Sequence, residues 1–186
     1  NRSPLDVAAQ FEQRDTLDAM LTFASPLHRL QLAARRGDAE SAREVVRQHP
    51  GIVASMAPQD HRAISDAAWA GDARAVALMV ELGFDPRTPG HDSGTALHCA
   101  AWEGSVECVS AILKYPAGRA LIDVRESTYN GTPLSWCSHG SVNCHRNGAD
   151  HAGVARLLIR AGSKVEPEMK NWGSVAYQAV IAEALK

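Results

Sequence analysis

A short frame of small residues recurs along this chain at a nearly constant interval. It consists of two adjacent alanines followed three positions later by a glycine, and it occupies residues 33–37, 67–71 and 100–104. The glycines of successive frames are separated by 34 and then 33 residues. A fixed period of this size is typical of repeat proteins, in which each repeat is one supersecondary unit that packs only against its neighbours.

A second, apolar pattern begins five positions after each glycine. Its three residues are spaced i, i+3 and i+4, which places them on one face of a helix. They are Ala42, Val45 and Val46, then Val76, Met79 and Val80, then Val109, Ile112 and Leu113. Because both patterns share one period, we expect each repeat to contain two helices joined by a turn at the glycine.

The best-preserved copies of the frame carry a motif of their own. Residues 94–104 read G-T-A-L-H-C-A-A-W-E-G, and residues 132–136 read T-P-L-S-W. These stretches resemble the T-P-L-H-x-A signature of ankyrin repeats, and the resemblance covers nearly the whole chain. It implies an all-α ankyrin-repeat solenoid with short β-hairpin fingers, the connections between consecutive helix pairs. It also implies protein–protein recognition through the fingers and the first, inner helix of each repeat.

More narrowly, the chain is similar to a group of uncharacterised bacterial ankyrin-repeat proteins. The similarity lies in residues 82–85 (L-G-F-D), 95–102 (T-A-L-H-C-A-A-W), 132–136 and 139–141 (H-G-S), the last of which opens a long loop. This resemblance implies no settled activity.

We predict a single ankyrin-repeat domain over residues 1–186, with four to five helix-turn-helix units and a C-terminal capping helix. The predicted units are about 1–24, 25–60, 61–91, 92–128 and 129–166, and the capping helix is 172–186. The first unit lacks the polar outer face of a capping repeat, so we expect further repeats upstream. Gly-, Asn-, Asp- and His-rich residues 141–153 predict a loop between the two helices of the fifth unit.

The junction of the first two units departs from the pattern. The stretch S-P-L-H at residues 25–28 looks like the signature but is out of frame, because Leu30 occupies the expected leucine position. Only seven residues lead from Leu21 to His28, whereas fifteen lead from Val80 to Thr95. We therefore expect the finger to be missing here.

Composition excludes several functional classes. The formal net charge is −2, so no overall field attracts the chain to nucleic acid or to an anionic membrane. No apolar run approaches the roughly 20 residues of a membrane span. The four cysteines accompany a sizeable core, which favours reduced thiols. We expect a cytoplasmic monomer without a cofactor.

Several signature residues have structural interpretations. We expect Thr95 and Thr132 to cap the first helices of their repeats, and Leu97 and Leu134 to enter the core. The resemblance implies that His98 hydrogen bonds to backbone between repeats.

The candidate binding residues follow the Ala-Ala pair on the inner helices. Trp69 and Trp102 occupy equivalent positions, which in ankyrin repeats point into the concave groove. Two stacked tryptophans would form a rigid apolar ledge of the kind found at interface hot spots. The alternative is that both indoles pack on neighbouring fingers and only stiffen the array. The other candidates are Arg35, Arg36, Trp136 and His139 in the groove and the finger-tip residues Gln59, His61, His91, Asp92, Tyr129 and Asn130.

A competing hypothesis is zinc binding by the loop at residues 137–151. Cys137, His139, Cys144 and His145 are the residue types that bind zinc. Their C-x-H…C-H spacing matches no known zinc pattern, however, and Cys137 falls on a buried position of the frame. Unliganded loop residues are the alternative, and Cys99 and Cys108 are interpreted as core residues.

Catalysis is the least supported class, and we expect no enzyme. Cys144, His145 and Asp150 supply the residue types of a thiol hydrolase, but adjacent residues rarely point at each other and no oxyanion loop accompanies them. Phosphate-binding glycine motifs are also absent from the sequence. We therefore predict a module that binds an unidentified partner protein, with a structural arm of a larger polypeptide as a further alternative.

Overall fold

The computed structural model describes residues 21 and 23–186. Over these residues it contains ten α-helices, most of them arranged as helix pairs. They are α1 (Pro26–Arg35), α2 (Ala39–Gln48), α3 (Ala63–Trp69), α4 (Ala73–Leu82), α5 (Ala96–Trp102), α6 (Val106–Leu113), α7 (Pro116–Arg119), α8 (Pro133–Asn143), α9 (His151–Arg160) and α10 (Val175–Ala184). Short 3-10 helices span Pro58–Arg62, His91–Ser93 and Pro167–Asn171.

The recurring glycine forms the turn between the two helices of a pair. Gly37, Gly71 and Gly104 have φ values of 64°, 68° and 63°. This left-handed conformation is strained for residues that carry a Cβ, which explains why glycine returns at this point of each repeat. The second helix then begins at a side-chain cap, as when an oxygen of Asp72 accepts the N–H of Ala75 at 3.0 Å.

The helix pairs stack in chain order into a solenoid. Inner helices α3, α5 and α8 pack on one another in turn, and outer helices α4, α6 and α9 do the same. The predicted apolar patterns supply the core between them: Val76, Met79, Val109 and Ile112 are fully buried. The core is continuous along the stack, as expected when each repeat buries its apolar face against its neighbours.

The end of the stack is covered by α10, which packs on α9. Its Tyr177 is fully buried, and the phenol oxygen donates to the carbonyl of Leu134 in α8 at 3.2 Å. A helix therefore covers the C-terminal end of the array, as the sequence predicted.

The connections between helix pairs correct one prediction. We expected short β-hairpin fingers, but the described residues contain no β-strand. One connection is closed by a hydrogen bond from the Gly90 N–H to the Gly94 carbonyl, and another by one from Glu126 N–H to the Gly131 carbonyl. A single bond of this kind closes a turn and does not build a ladder. We keep the word finger for these connections.

Two other segments differ in detail from the prediction. The loop expected at 141–153 is shorter, because α8 continues to Asn143 and α9 begins at His151. The extra residues near Tyr115 form the short helix α7.

Only some of the predictions for the N-terminal region fall on residues that the structure describes. The predicted first unit, residues 1–24, lies almost entirely outside them. In α1, Ser25 caps the helix by accepting the N–H of His28 at 3.3 Å, so the out-of-frame stretch begins a helix. Leu30 is fully buried, as its predicted frame position requires.

Candidate functional site

All four tryptophans of the chain line a single pocket of about 800 Å³. Three of them belong to the inner helices: Trp69 ends α3, Trp102 ends α5, and Trp136 lies in α8. The fourth, Trp172, follows the 3-10 helix Pro167–Asn171 and approaches from the C-terminal end of the array. We call this cavity the tryptophan pocket.

The inner-helix rings form an aromatic row. The imidazole of His91 stacks on Trp69 with centroids 4.4 Å apart and planes inclined by 21°. Trp69 stacks in turn on Trp102, at 5.9 Å and 9°. His139 lies beyond Trp102 at 5.1 Å and 50°. Four of the predicted binding residues are therefore in direct ring contact, in an arrangement that stabilises aromatic pairs.

Trp136 is oriented differently from the rings of this row. Its ring meets Trp102 edge-on, at 6.3 Å and 75°, and meets His98 in a similar way at 5.3 Å and 73°. Only 7% of its surface is exposed. The indole N–H donates to Oε1 of Glu126 at 3.4 Å. Trp136 is thus mostly a wall of the pocket, fixed by a carboxylate behind it.

Glu126 organises the finger at residues 126–131 from within. It is 4% exposed, and its carboxylate accepts the backbone N–H groups of Thr128, Tyr129 and Gly131 at 2.6, 2.9 and 2.8 Å. Burial alone would raise the pKa of Glu126, but these backbone donors and the Trp136 indole hold it below its usual value. The group is therefore a buried carboxylate that stays charged near neutral pH.

The adjacent finger is coupled to Glu126 as well. The Ser93 hydroxyl lies 3.2 Å from Glu126 Oε2 and accepts the N–H groups of Ser127 and Thr128 at 3.1 Å. Ser93 and Asp92 have positive φ values of 57° and 44°. These bonds fix two successive fingers against each other at one edge of the pocket.

Charged side chains line the rest of the rim. Arg125 donates to Glu166 Oε1 at 2.9 Å and to the Asn130 carbonyl at 2.8 Å. Asp92 is exposed, and within residues 21 and 23–186 its carboxylate forms no hydrogen bond or ion pair. The exposed ring of Tyr129 completes the rim.

The family assignment rests on this repeat architecture together with a sequence comparison. The sequence model of the family described as "Ankyrin repeats (3 copies)" matches residues 64–171, which is more than half of the chain. The chain belongs to the ankyrin-repeat family. No curated protein matches the sequence, so the narrower similarity to bacterial ankyrin proteins stays a prediction.

Ankyrin repeats are generally protein–protein interaction modules, and catalysis is not typical of the family. Across the described residues, the structure contains no helix with both the length and the apolar character that a bilayer crossing requires.

His98 has the structural role that the resemblance implied. Its Nδ1 accepts the Thr95 N–H at 3.2 Å, so the proton lies on Nε2, which donates to the Gly131 carbonyl at 3.1 Å. Burial lowers the pKa of this imidazole. The fully buried ring thus joins two successive ankyrin repeats as a neutral group. Cys99 and Cys108 are fully buried, as predicted.

Five of the predicted binding residues do not line the tryptophan pocket, and one of them, His91, contacts the lining only by stacking on Trp69. Arg35 and Gln59 are exposed elsewhere. Arg36 lines a separate cavity of about 440 Å³, together with Leu21. His61 is half-buried, and its Nδ1 accepts the Asp85 N–H at 3.1 Å while its ring meets Phe84 edge-on. The contacts of His61 are those of a residue that holds the next finger in place.

The proposed zinc ligands are not brought together. Cys137 is fully buried and its thiol donates to the His151 carbonyl at 3.2 Å, and burial raises its pKa. His139 instead contacts Trp102, and the Cys144 sulfur lies 3.7 Å from Glu103 Oε2. Within residues 21 and 23–186 there is no group of three or more His, Cys, Asp or Glu side chains that could hold a metal.

The loop at residues 144–150 instead packs against two of the glycine turns. The Asp150 N–H donates to the Gly104 carbonyl at 2.9 Å, and the Arg146 guanidinium donates to the Glu103 carbonyl at 3.1 Å. Arg146 also covers Gly71, since a Cβ there would lie 2.7 Å from its Cζ. The insertion therefore ties the fifth predicted unit to the two before it.

The sequence reasoning missed four residues of the site: Glu126, Arg125, Glu166 and Trp172. The helical period carries no signal for them, because they lie in connections or after the last regular pair. A signal did exist for Trp172, because it stands at the start of the predicted capping helix. A large apolar ring at that position is expected to pack against the end of the array.

Proposed function

We propose that this ankyrin-repeat protein binds a segment of a partner protein in the tryptophan pocket. The observation that carries the proposal is the convergence of all four tryptophans on one cavity of about 800 Å³. Tryptophan is enriched at interface hot spots because a large, rigid ring loses little conformational entropy on binding.

The hydrogen-bonding state of the rings supports the same proposal. Within the described part of the chain, the indole N–H groups of Trp69 and Trp102 form no hydrogen bond. Neither group is among the buried polar atoms that lack a partner, so both are accessible. They are available to donate to carbonyl groups of a bound peptide segment. Ring edges and free donors together suit an extended chain, which presents both apolar side chains and backbone acceptors.

The test is a comparison of partner capture by the wild type and by Trp69→Ala/Trp102→Ala, with circular dichroism to establish that both are folded. A matched control is Arg35→Ala/Gln59→Ala, which alters two predicted binding residues outside the pocket. We expect a specific protein to be captured by the wild type and by the control, and to be lost from the tryptophan variant. Equal capture by all three would refute binding in the pocket.

A further inference from the structure

The charges around the tryptophan pocket have an unequal balance. Asp92 and Glu166 each carry one negative charge, against the single positive charge of Arg125. Arg125 is engaged by Glu166 at 2.9 Å, so among the described residues of the rim the Asp92 carboxylate is the unpaired ionised group. The charged Glu126 lies directly behind the Trp136 wall. The cavity is lined by four tryptophans, and the charged side chains that the structure describes at its rim carry a net negative charge.

The two flanking rings are partly exposed and have no aromatic neighbour among the described residues. Tyr129 is 68% exposed and Trp172 is 39% exposed. Among the described residues neither ring stacks on another aromatic side chain, in contrast to the row formed by Trp69 and Trp102. The face of an aromatic ring carries negative potential, and it attracts a cation that approaches within about 6 Å of its centre.

Glu126 increases this effect at Trp136. A carboxylate that accepts an indole N–H polarises the ring and adds electron density to its face. The Glu126 charge is maintained near neutral pH because the finger donates several N–H groups to it. The pocket thus combines electron-rich aromatic surface with a free carboxylate at its rim.

We propose that the partner segment inserts an arginine or lysine side chain into the tryptophan pocket, an inference that rests on the proposed function. The aliphatic stem of such a residue contacts the apolar walls, while its charged end lies against the partly exposed rings and Asp92. An acidic side chain is repelled by the same negative charge. A neutral side chain of equal size gains only the apolar contact.

Nuclear magnetic resonance gives a direct readout, because the chain has four tryptophans and so four indole N–H signals. The probes are acetylated and amidated peptides Gly-Gly-X-Gly-Gly, with X as arginine, lysine, citrulline or norleucine. Citrulline and norleucine are the neutral counterparts of arginine and lysine. Single Trp→Phe variants assign each signal.

We expect the arginine and lysine peptides to shift the signals of Trp102, Trp136 and Trp172, with dissociation constants at least roughly five-fold below those of the neutral counterparts. Asp92→Asn removes the negative charge from the rim and should therefore reduce this preference. Asparagine tolerates the left-handed backbone at that position, so the fold should be unaffected. Glu107→Gln removes the same charge from an exposed site that does not line the pocket, and should leave the preference intact.

Equal shifts with charged and neutral peptides, or no shift with any of them, would overturn the inference. The proposed function would still hold after either result, provided that partner capture is lost in Trp69→Ala/Trp102→Ala. Conversely, a cation preference without any loss of capture in that variant would place the partner's main contacts elsewhere, and would contradict both.

Discussion

The indole rings of Trp69 and Trp102 lie parallel, with centroids 5.9 Å apart and planes inclined by 9°. The two residues are 33 positions apart, one repeat period, and each ends an inner helix. Because helices α3 and α5 pack directly on each other, the same register that aligns the repeats also stacks the two rings. The aromatic surface that we propose as the binding site is therefore a direct product of the repeat.

Trp102→Ala should destabilise the protein, since this ring contacts Trp69, Trp136 and His139. We expect a loss of about 2 kcal/mol in the free energy of unfolding, below the ~3–5 kcal/mol of a fully buried aromatic ring. Urea denaturation measures the loss. Trp172→Ala is the matched control, and it should cost less than Trp102→Ala because its more exposed ring has no aromatic neighbour in the described residues.

Glu126→Gln should destabilise the fingers, because an amide cannot replace a carboxylate that accepts several N–H groups. Charge-assisted hydrogen bonds of this kind predict a loss of about 2–3 kcal/mol at pH 7. The exposed Glu107→Gln should change stability by less than about 0.5 kcal/mol. Equal effects of the two substitutions in urea denaturation would contradict the structural role of Glu126.

The lowered pKa of Glu126 predicts a pH dependence with a definite sign. A carboxyl group whose pKa is lowered in the folded state stabilises the protein at pH values above its ordinary pKa, which is 4.5 for glutamate. That contribution is lost as the pH falls below 4.5 and through the lower pKa of the folded state. The stability difference between the wild type and Glu126→Gln should therefore shrink on acidification, and a difference that grows would be inconsistent with the assignment.

Gly140→Ala should disrupt the contact between α5 and α8. A Cβ at this position would overlap the Trp102 carbonyl oxygen and lie 2.8 Å from His151 Nε2. Alanine normally favours a helix interior by about 1 kcal/mol over glycine, but the backbone overlap should reverse this and cost about 2 kcal/mol or more. Gly148→Ala has open space and a φ of 78°, so only a strain of about 1 kcal/mol is expected there. Thermal denaturation should therefore show a larger loss of stability for Gly140→Ala than for Gly148→Ala.

Zinc should leave the stability of the protein unchanged. The thiol of Cys137 is fully buried and burial raises its pKa, so it is protonated, whereas zinc binds thiolate. One equivalent of zinc added to metal-free protein should therefore move the melting temperature by less than about 1 °C. A structural zinc site would instead contribute roughly 10 kcal/mol and raise the melting temperature strongly. A saturable rise of several degrees that Cys137→Ser abolishes would restore the zinc hypothesis.

The repeat can be predicted from the sequence because small and apolar residues recur at its period. Glycine at 37, 71 and 104 and the apolar triplets fix the turns and the helix faces, and the structure has both where expected. Trp69, Trp102 and Trp136 could be placed together for the same reason. Residues outside the period could not. Glu126 acts through backbone groups of its own finger, and Trp172 reaches the pocket only because the chain turns back after α9.

The errors have local physical causes. The β-fingers are an inference from family resemblance, but the connections at residues 90–94 and 126–131 are each closed across the turn by one backbone hydrogen bond, which does not build a strand ladder. The 141–153 loop was judged by its polar composition, but Val142 and its neighbours extend α8. The zinc hypothesis, which the spacing of its residues already disfavours, also groups Cys137 with His139. Residues two apart on a helix lie on different faces, so one is buried while the other is exposed.

The most direct test of the tryptophan pocket as the binding site is photo-crosslinking at defined positions. A photoreactive phenylalanine analogue replaces Tyr129 on the pocket rim, or Ala77, which is exposed on the outer helix α4. We predict that the captured partner crosslinks efficiently at 129 and not at 77, and that Trp102→Ala abolishes the crosslink at 129. Crosslinking at 77 that persists in the Trp102→Ala background, with none at 129, would contradict the account.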